Sequence, residues 1–511
     1  MSLAFIPSRA LLGLEAPPVM VEVHLAPGLP SFTLVGLADT EVKEARERVR
    51  CAIQNAGLDF PHNRRITVNL APADLPKDSG RFDLPIAIGI LAASDQLDAD
   101  RLAGHVFAGE LSLSGELKPV RGALAMAAAH CQQGDAAALV LPYDSACEAA
   151  LVAGLQVYGA RSLTDVVQAF APADAQQPAL PDGWCRLQPD PDRQAAPHYP
   201  DLADVKGQAA ARRALEIAAA GQHSMLLLGP PGSGKSMLAQ RFAGLLPPMQ
   251  PEQALSAAAV ASLAGHFSPD QWGRRPHRSP HHSSSAVALV GGGSPPRPGE
   301  ISLASEGTLF LDEVPEFPRA ALEALREPLE TGQIHISRAA RQAVFPARFQ
   351  LIAAMNPCPC GYLGSRIRPC RCTPDQVRRY QGKLSGPLLD RIDLQLEVQA
   401  LPPEELLTAS TGESSAVVRQ RVVAARERAL QRQGGPNQQL QGLALEASAR
   451  LDAAASSFLQ KAARQLGWSA RSTHRTLRVA RTIADLADSE QITIPHLAEA
   501  MQLRRGLLHQ H

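Results

Sequence analysis

The chain has 511 residues, of which 45% are apolar, and its 50 lysines and arginines balance 50 aspartates and glutamates. This length suggests about three domains, and the composition suffices for ordinary buried cores. The balanced charge excludes a globally basic protein, although it is compatible with local basic surfaces. Apolar runs stay short of the roughly 18 residues that cross a bilayer. The N-terminus also lacks a signal-peptide pattern, so we expect a cytoplasmic protein without a membrane segment.

The first part of the chain alternates strand and helix patterns. Apolar residues alternate from Val19 onward, and VKEARERVRCAIQNAG has helical spacing with a capping glycine at Gly57. Leu84 to Ala93 is typical of a buried helix, and a strand-turn-strand is predicted around Gly115. We therefore predict a mixed α/β domain over residues 1–171.

The remaining chain divides by composition. Residues 172–200 are rich in alanine, aspartate, glutamine and proline, which predicts a linker. Residues 201–398 contain apolar strands separated by helical stretches, as in α/β domains. Residues 399–511 are helical in composition. The overall expectation is a multidomain α/β protein with a helical C-terminal domain.

A phosphate-binding motif, GPPGSGKS, follows the apolar strand MLLL. Its glycines allow backbone amides to wrap around phosphates, and the helix that follows offers its positive N-terminal end. Lys235 is expected to contact the β- and γ-phosphates of ATP, and Ser236 to bind Mg²⁺. The complete set of nucleotide-binding residues predicted in this loop is Gly229, Pro230, Pro231, Gly232, Ser233, Gly234, Lys235 and Ser236.

Two later strands end in polar residues that complete such a site. The strand TLFL delivers Asp312 and Glu313, and we expect Asp312 to hold Mg²⁺ and Glu313 to polarise the attacking water. The strand QLIAAM ends at Asn356, whose amide can orient that water; a simple turn before Pro357 is the alternative. Arg391 is a candidate arginine finger that reaches a neighbouring subunit.

Two further points concern Arg391 and the cysteines. The alternative for Arg391 is a local salt bridge with Asp390 or Asp393.

Two Cys-x-Cys pairs are separated by nine residues, which suits a tetrahedral structural zinc site; free thiols are the alternative. The proposed ligands are Cys358, Cys360, Cys370 and Cys372. The other four cysteines are scattered, as expected for small buried residues.

Several motifs together resemble the Mg-chelatase-like AAA+ ATPases of the YifB/ComM family. They are GPPGSGKS, RPGEISLASEGTLFLDEVPEF, LREPLETG, AAMNPCPCGY and RRYQGKLSGPLLDRIDL, with SFTLVGLADTEVKEARERVRCAIQNAG near the start and SARSTHRTLRVARTIADL near the end. The resemblance extends over essentially the full length. It implies a Lon-protease-like N-terminal domain, a central AAA+ ATPase domain and a C-terminal helical lid domain.

The resemblance also implies roles for these parts. In the N-terminal domain, PKDSGRFDLPIAIGI lies where that fold carries its nucleophile loop, but the expected serine is missing, with Arg81, Phe82 and Asp83 instead. It is expected to act as a scaffold or a DNA-contacting ring, while a Ser79–Lys118 dyad is the minor alternative. The ATPase domain is expected to form homohexameric rings with ATP between subunits. Arg471 then matches the second sensor arginine, with Arg475 or a merely solvated helix face as alternatives.

Similar ring helicases carry a hairpin before the sensor strand that projects into the pore. TGQIHISRAARQAVFPARFQ has this position, and Arg338 and Arg341 at its tip are expected to contact DNA phosphates; ordinary surface charges are the alternative. A second basic loop, Arg274 to His282, has no convincing metal spacing in its histidines and is expected to be a pore or interface loop.

The function expected from the resemblance is an ATP-dependent DNA helicase that promotes branch migration when incoming DNA recombines during natural transformation. Its expected partners are single-stranded and branched DNA, copies of itself and other recombination proteins. Two alternatives are the motor subunit of a magnesium chelatase and an ATP-dependent protein remodeller. The N-terminal domain argues against the chelatase, whose ATPase subunits are not expected to carry one.

Overall fold

The structure, a computed structural model, describes residues 3–36, 40–75, 77, 80–172, 182–188, 199–293, 295–338, 341–365, 368–401 and 412–504. Among these residues, no helix combines the length and apolarity needed to cross a membrane. The protein is mixed α/β, with a parallel sheet at its centre and helices at its C-terminal end. This agrees with the fold class predicted from the sequence, while the exact domain boundaries stay predictions.

The first sheet of the N-terminal part packs on two helices. Its strands, in spatial order β1-β2-β4-β3, are β1 (Leu3–Arg9), β2 (Pro18–Pro27), β3 (Ser31–Val35) and β4 (Arg64–Ala71). The helices are Thr40–Asn55 and Asp83–Ala93. Every residue of Asp83–Ala93 is buried, as the uninterrupted apolar run predicted. Asp83 starts this helix and accepts hydrogen bonds from Arg48, which neutralises a carboxylate inside the core.

The second N-terminal sheet has the order β10-β9-β8-β5. In chain order, the strands of this region are β5 (His105–Phe107), β6 (Glu110–Leu111), β7 (Leu117–Lys118), β8 (Ala138–Pro142), β9 (Val157–Ala160) and β10 (Cys185–Leu187). The pair β6–β7 is separate from the four-stranded sheet. The helices are Ala99–Leu102, Ala123–Gln132, Tyr143–Ala149 and Leu163–Ala169. β6 and β7 form the expected strand-turn-strand around Gly115.

The strand β10 lies within the predicted linker, 172–200. It pairs with β9, and the neighbouring Trp184 stacks on Tyr158 with ring centroids 5.1 Å apart. Composition did not indicate this strand because its apolar residues, Leu187 within it and Trp184 beside it, are isolated among polar ones. Part of the linker region is therefore packed against the N-terminal sheet.

The central sheet has five parallel strands in the order β12-β15-β18-β11-β19. This region of the chain also contains two separate strand pairs, β13–β14 and β16–β17. In chain order its strands are β11 (Met225–Leu228), β12 (His277–Arg278), β13 (Gly291–Gly292), β14 (Arg297–Pro298), β15 (Thr308–Leu311), β16 (Gln333–Arg338), β17 (Arg341–Pro346), β18 (Gln350–Met355) and β19 (Leu394–Glu397). The helices of this region are Ala209–Gly221, Lys235–Phe242, Pro251–Ala264, Ala286–Val290, Glu300–Leu303, Arg319–Glu323, Arg326–Thr331, Pro374–Gln381 and Gly386–Leu389.

The C-terminal helices pack against the sheet and its first helix. They are Ser415–Gln433, Gly442–Ser448, Ala453–Gln465, Ala470–Leu486 and Ile494–Gln502. The buried His223, just before β11, joins the two regions because its ring contacts Asp393 Oδ2 at 3.1 Å and Thr482 Oγ1 at 2.8 Å. This polar bridge fixes the helix Ala470–Leu486 at the amino-terminal edge of the sheet.

The N-terminal part contacts the ATPase part through a helix pair, and its loop at Gly13 also lies beside Ala343 and Phe345 of β17. Ala123–Gln132 packs along Pro251–Ala264. At this contact Ser262 Oγ donates a 2.6 Å hydrogen bond to Glu148, and Gly122 N donates to the Ser262 carbonyl. Burial raises the pKa of Glu148 to about 7, so the interface contains a carboxyl group that prefers its neutral form.

Candidate functional site

The phosphate loop lies at the carboxyl edge of the central sheet, between β11 and the helix Lys235–Phe242. Gly232 and Gly234 have φ values of +76° and +90°, and a side-chain Cβ at either would point into open space. These left-handed turns require glycine sterically. The open space in front of them is where a phosphate group could approach the loop amides and the helix N-terminus.

Lys235 is nearly buried beneath this loop. Its Nζ donates to the carbonyl oxygens of Gly229 and Pro230, at 2.8 and 2.9 Å, and lies 3.3 Å from Asn356 Oδ1. Burial lowers the pKa of Lys235, while Asp312 and Glu313 oppose that shift. An ammonium group held by carbonyl oxygens in this manner is suited to contact the outer phosphates of a nucleotide.

The predicted magnesium residues also meet in the structure. Ser236 Oγ donates a 2.6 Å hydrogen bond to Asp312 Oδ2. Asp312 follows β15 directly, and its Oδ1 accepts from the backbone amide of Glu313 at 2.9 Å. Hydroxyl and carboxylate oxygens are ligands that Mg²⁺ accepts, so this pair could hold the ion beside the phosphates.

Asn356 directly follows β18 beside the same loop, and the adjoining chain makes further contacts. Its backbone interacts with the Tyr380 hydroxyl, and burial raises the pKa of Tyr380 to about 12. Gln381 Nε2 donates to the next carbonyl, that of Pro357, at 2.9 Å. The helix Pro374–Gln381 therefore braces the strand end that carries Asn356.

Arg391 and Arg471 do not join this site within one chain. Both line a cleft of about 660 Å³, together with Arg348, Arg475 and Arg478. Arg391 donates to Pro387 O at 2.8 Å and forms an ion pair with Glu330. Neither of the acids suggested by the sequence pairs with Arg391; instead Arg475 approaches Asp390, at 3.9 Å.

The arginine cleft opens at the amino-terminal edge of the sheet. Ser224, which precedes β11, and Phe349, which precedes β18, both line it. The phosphate loop begins at Gly229, at the other end of β11. Five residues of extended chain separate Ser224 from Gly229, which is about 16 Å. The cleft arginines and the phosphate loop therefore lie at opposite ends of the strands of one sheet.

The four cysteines form a compact cluster. Their sulfur atoms all lie within 4.8 Å of one another. Cys358, Cys360 and Cys370 are separated by 3.4 to 3.6 Å. Backbone amides, led by that of Arg371, lower the pKa of Cys360 to about 6. A tetrahedral site with zinc–sulfur bonds of about 2.3 Å needs sulfur separations of about 3.8 Å, close to those found.

The cysteine loop touches the phosphate loop. Gly361, at φ +84°, packs so tightly on Pro231 that a Cβ there would lie 2.6 Å from Pro231 Cδ. The cluster and the nucleotide site are thus in direct contact through two backbone turns. Such close approach is available to glycine but not to larger residues.

The predicted DNA hairpin is present as an antiparallel pair, β16 and β17. Arg338 and Arg341 are cross-strand partners at its tip, but their side chains lie outside the described part of the structure. Ile334, Ile336 and Phe345 are buried at the hairpin's base. The base of the hairpin is therefore packed in the core, and the two arginine positions lie at the opposite end of the hairpin.

Of the possible serine–lysine dyad, Ser79 lies outside the described residues. Lys118 is half-exposed, and its Nζ pairs with Glu116 at 2.8 Å. An exposed, ion-paired lysine is not the desolvated amine that such a base requires.

Near the nucleotide site, Gln208 escaped the sequence reasoning, and His282 was expected only as part of a pore or interface loop. Gln208, in left-handed backbone, bonds Ser233 O and Gln399 O through Nε2, at 3.3 and 2.6 Å. His282 Nδ1 lies 3.4 Å from Glu313 Oε2. Neither belongs to a recognisable motif, since both are brought to the site by loops of the tertiary structure.

Comparisons with known proteins agree with this architecture. The family model for magnesium chelatase, subunit ChlI, matches residues 201–406. The models for subunit ChlI of Mg-chelatase and for the ChlI C-terminal region match residues 21–145 and 412–504. Together these matches extend from the first N-terminal sheet to the C-terminal helices.

Full-length relatives are also similar. The competence protein ComM of Haemophilus influenzae is 51% identical over 508 residues, which cover 99% of this chain and 98% of the relative. The uncharacterized protein YifB of Escherichia coli is 49% identical, with 100% and 99% coverage. Membership implies an ATPase that uses ATP and Mg²⁺, as the phosphate loop predicted. The chain belongs to the YifB/ComM family of Mg-chelatase-like AAA+ ATPases.

Proposed function

We propose that this protein is a ring-forming, ATP-driven DNA motor that promotes branch migration when incoming DNA recombines during natural transformation. In this proposal Lys235 and Ser236 bind ATP and Mg²⁺, and Asp312 supplies the second magnesium contact. Glu313 polarises the lytic water and Asn356 orients it. The hydrogen bonds that already join Ser236 to Asp312, and Lys235 to Asn356, support these roles.

One observation carries the ring. Arg391 and Arg471 lie at the edge of the sheet opposite to the phosphate loop, so a side chain of ordinary length cannot reach its own nucleotide. The arginines of this cleft could contact the phosphates of ATP during hydrolysis if the cleft faces the phosphate loop of a second copy. Head-to-tail contacts that join unlike surfaces close into a ring when the rotation between copies is a whole fraction of a turn, and we propose six copies, as in the proteins that the sequence resembles.

The DNA assignment rests on two supports. The hairpin β16–β17 presents Arg338 and Arg341 together at its tip, and arginines of six copies would form a belt that contacts phosphates without reading sequence. The relative in Haemophilus influenzae is called a competence protein. The N-terminal α+β part, which we propose to be Lon-like but not proteolytic, then serves as a scaffold or a further DNA-contacting ring.

Hydrolysis assays with and without DNA test this proposal. We expect single-stranded or forked DNA to increase ATP turnover, Lys235→Ala to abolish turnover, and the wild type to extend a three-stranded joint. A protein that hydrolyses ATP but responds to no DNA and moves no joint would refute the motor. The second candidate, a chelatase motor subunit, is favoured by the family description and predicts turnover coupled to Mg²⁺ insertion into a porphyrin.

We further propose that Cys358, Cys360, Cys370 and Cys372 bind structural zinc. The four sulfurs already approach tetrahedral spacing, and the loop they would close packs on Pro231. Metal analysis of purified protein should give about one zinc per chain, and Cys370→Ser should lose it. Cys131→Ser is a matched control, because Cys131 is exposed and lies elsewhere. Metal-free wild type with full thermal stability would refute the site.

A further inference from the structure

The two candidate arginines of the cleft come from different segments of the chain. Arg391 lies in the turn before β19, and Arg471 lies in the first turn of the helix Ala470–Leu486. Both line the arginine cleft, and in the proposed ring both have to reach the phosphates of one neighbouring nucleotide. Their relative position therefore depends on contacts between these two segments.

His223 connects the first of these segments to the protein interior. Its ring is fully buried, and Nδ1 lies 3.1 Å from Oδ2 of Asp393, two residues after Arg391. Burial opposes ionisation of Asp393, but the hydrogen bond with His223 and the charges of two nearby arginines outweigh it and lower the pKa of this carboxyl. A carboxylate only accepts hydrogen bonds, so Nδ1 is the donor. One side of the ring is thus attached to the segment that carries Arg391.

The other side of the His223 ring is attached to the helix that carries Arg471. Nε2 lies 2.8 Å from Oγ1 of Thr482, which is also buried. Gly221 permits this approach, because a Cβ at that position would clash with both Nε2 and Thr482 Oγ1. The ring is therefore confined between the two arginine-bearing segments and hydrogen-bonded to each.

Small movements of the helix at Thr482 are magnified at Arg471. The eleven-residue spacing between them places both on one helical face, about 16 Å apart along the axis. A tilt of about 5° at Thr482 would move the backbone of Arg471 by about 1.4 Å. A misplacement of about 1 Å in a positioning group can cost about a hundred-fold in rate. A contact that fixes the helix at Thr482 therefore has a large influence on the position of Arg471.

We infer that His223 is a positioning residue for ATP hydrolysis in the neighbouring subunit, because it sets the spacing between Arg391 and Arg471. His223 precedes β11, at the opposite end of that strand from the phosphate loop, so it acts through the arginines and not on its own nucleotide. The inference rests on the proposed function, since it requires that the arginine cleft serves the ATP of a second copy.

Thr482→Val tests the inference, since it removes the oxygen that faces His223 and keeps the shape of the side chain. We expect kcat for ATP hydrolysis by the full chain to fall about a hundred-fold. The Kd for ATP should stay near that of the wild type, because the phosphate loop is untouched. Mixing this variant with Lys235→Ala in equal amounts should restore turnover far above that of either variant alone, since the Lys235→Ala subunits supply an intact cleft.

His223→Asn breaks the same contact from the other side, because its amide keeps a donor near the Nδ1 position and leaves Thr482 without a partner ring. It should lose turnover to the same extent and be restored by Lys235→Ala in the same way. The double variant His223→Asn/Thr482→Val should lose no more turnover than either single variant, since the effects of two changes that remove one contact do not add.

Thr476→Val is the matched control. It is the same substitution in the same helix, and the buried Thr476 hydroxyl donates to the Ser472 carbonyl of that helix, at 3.0 Å. It should keep wild-type turnover. Wild-type turnover in both Thr482→Val and His223→Asn, or an equal loss in Thr476→Val, would overturn the inference.

The mixture of Lys235→Ala with Arg391→Ala separates this inference from the proposed ring. If that reference mixture recovers turnover and the mixture of Lys235→Ala with folded Thr482→Val does not, the role of His223 alone is refuted. If neither mixture recovers turnover in co-purified rings, the shared site is refuted and the role of His223 with it.

Discussion

Mixing two inactive variants tests whether the arginine cleft serves a neighbouring subunit. Lys235→Ala removes the phosphate contact, and Arg391→Ala removes the cleft arginine. About 16 Å of extended chain separates the two edges of the sheet, so each variant should damage a different half of a shared site. We expect each alone to lose about three orders of magnitude in ATP turnover, the low end for arginine fingers supplied in trans.

Mixed rings should regain activity. When the variants are combined in equal amounts, about a quarter of the head-to-tail contacts pair an intact phosphate loop with an intact arginine. ATP turnover should therefore return to roughly a quarter of the wild-type rate, far above either variant alone. The assay is turnover against mixing ratio, with a maximum at equal amounts.

Failure of this complementation would refute the reasoning if the variants share rings. Co-purification through a tag on one variant establishes that they do. Mixed rings without recovered turnover would mean that Arg391 acts within its own chain or not at all. Glu330→Gln is a useful companion, because it frees Arg391 from its ion pair while leaving the phosphate loop intact, and it should retain most of the turnover.

Two further predictions concern contacts between parts of the chain. Gly361→Ala should weaken ATP binding about ten-fold, because its Cβ would lie 2.6 Å from Pro231 and displace the phosphate loop; nucleotide titration measures this. Glu148→Gln should flatten the pH dependence of thermal unfolding. The folded-state pKa of Glu148, about 7, exceeds its ordinary 4.5. Its stabilising contribution is therefore fully present below pH 4.5, is lost as the pH rises through 7, and is worth about 3 kcal/mol.

Controls separate these effects from general damage. Gly364→Ala carries a similar positive-φ strain, at +74°, but meets nothing within 4 Å, so it should bind ATP normally. Equal weakening by both glycine variants would assign the effect to strain alone. For the interface carboxyl, wild type should lose melting temperature between pH 5 and pH 8 relative to Glu148→Gln. Parallel curves would contradict a neutral Glu148 in the folded protein.

The nucleotide site could be predicted from sequence because its parts are local motifs. A glycine-rich loop after a strand, and an acidic pair after another strand, each carry their own geometric requirement. Parallel strands then bring their carboxyl ends to one end of the sheet, which is why Asn356 lies close to Lys235. The helix Asp83–Ala93 was equally predictable, since a long apolar run has no other stable position than the core.

Contacts between distant loops could not be predicted in this way. Trp184 belongs to a polar stretch, and the strand β10 that follows it pairs with β9, far away in the sequence. Arg391 pairs with Glu330, 61 residues away, and not with the acids beside it in the chain. Sequence spacing says nothing about such pairs, because their energies depend on distances that are set when the sheet and helices pack.

The sequence by itself therefore indicated which chemical groups this protein carries: a phosphate loop, its acidic partner, an amide after a strand, candidate arginines and four cysteines close together in the chain. Only the tertiary structure decided how these groups are distributed. It joined the first three at one edge of a parallel sheet, sent Arg391 and Arg471 to the other edge, and brought the cysteine loop and His282 against the nucleotide site. The physical reason is that a strand fixes the direction of the residues at its ends, whereas packing between elements fixes which ends and loops meet.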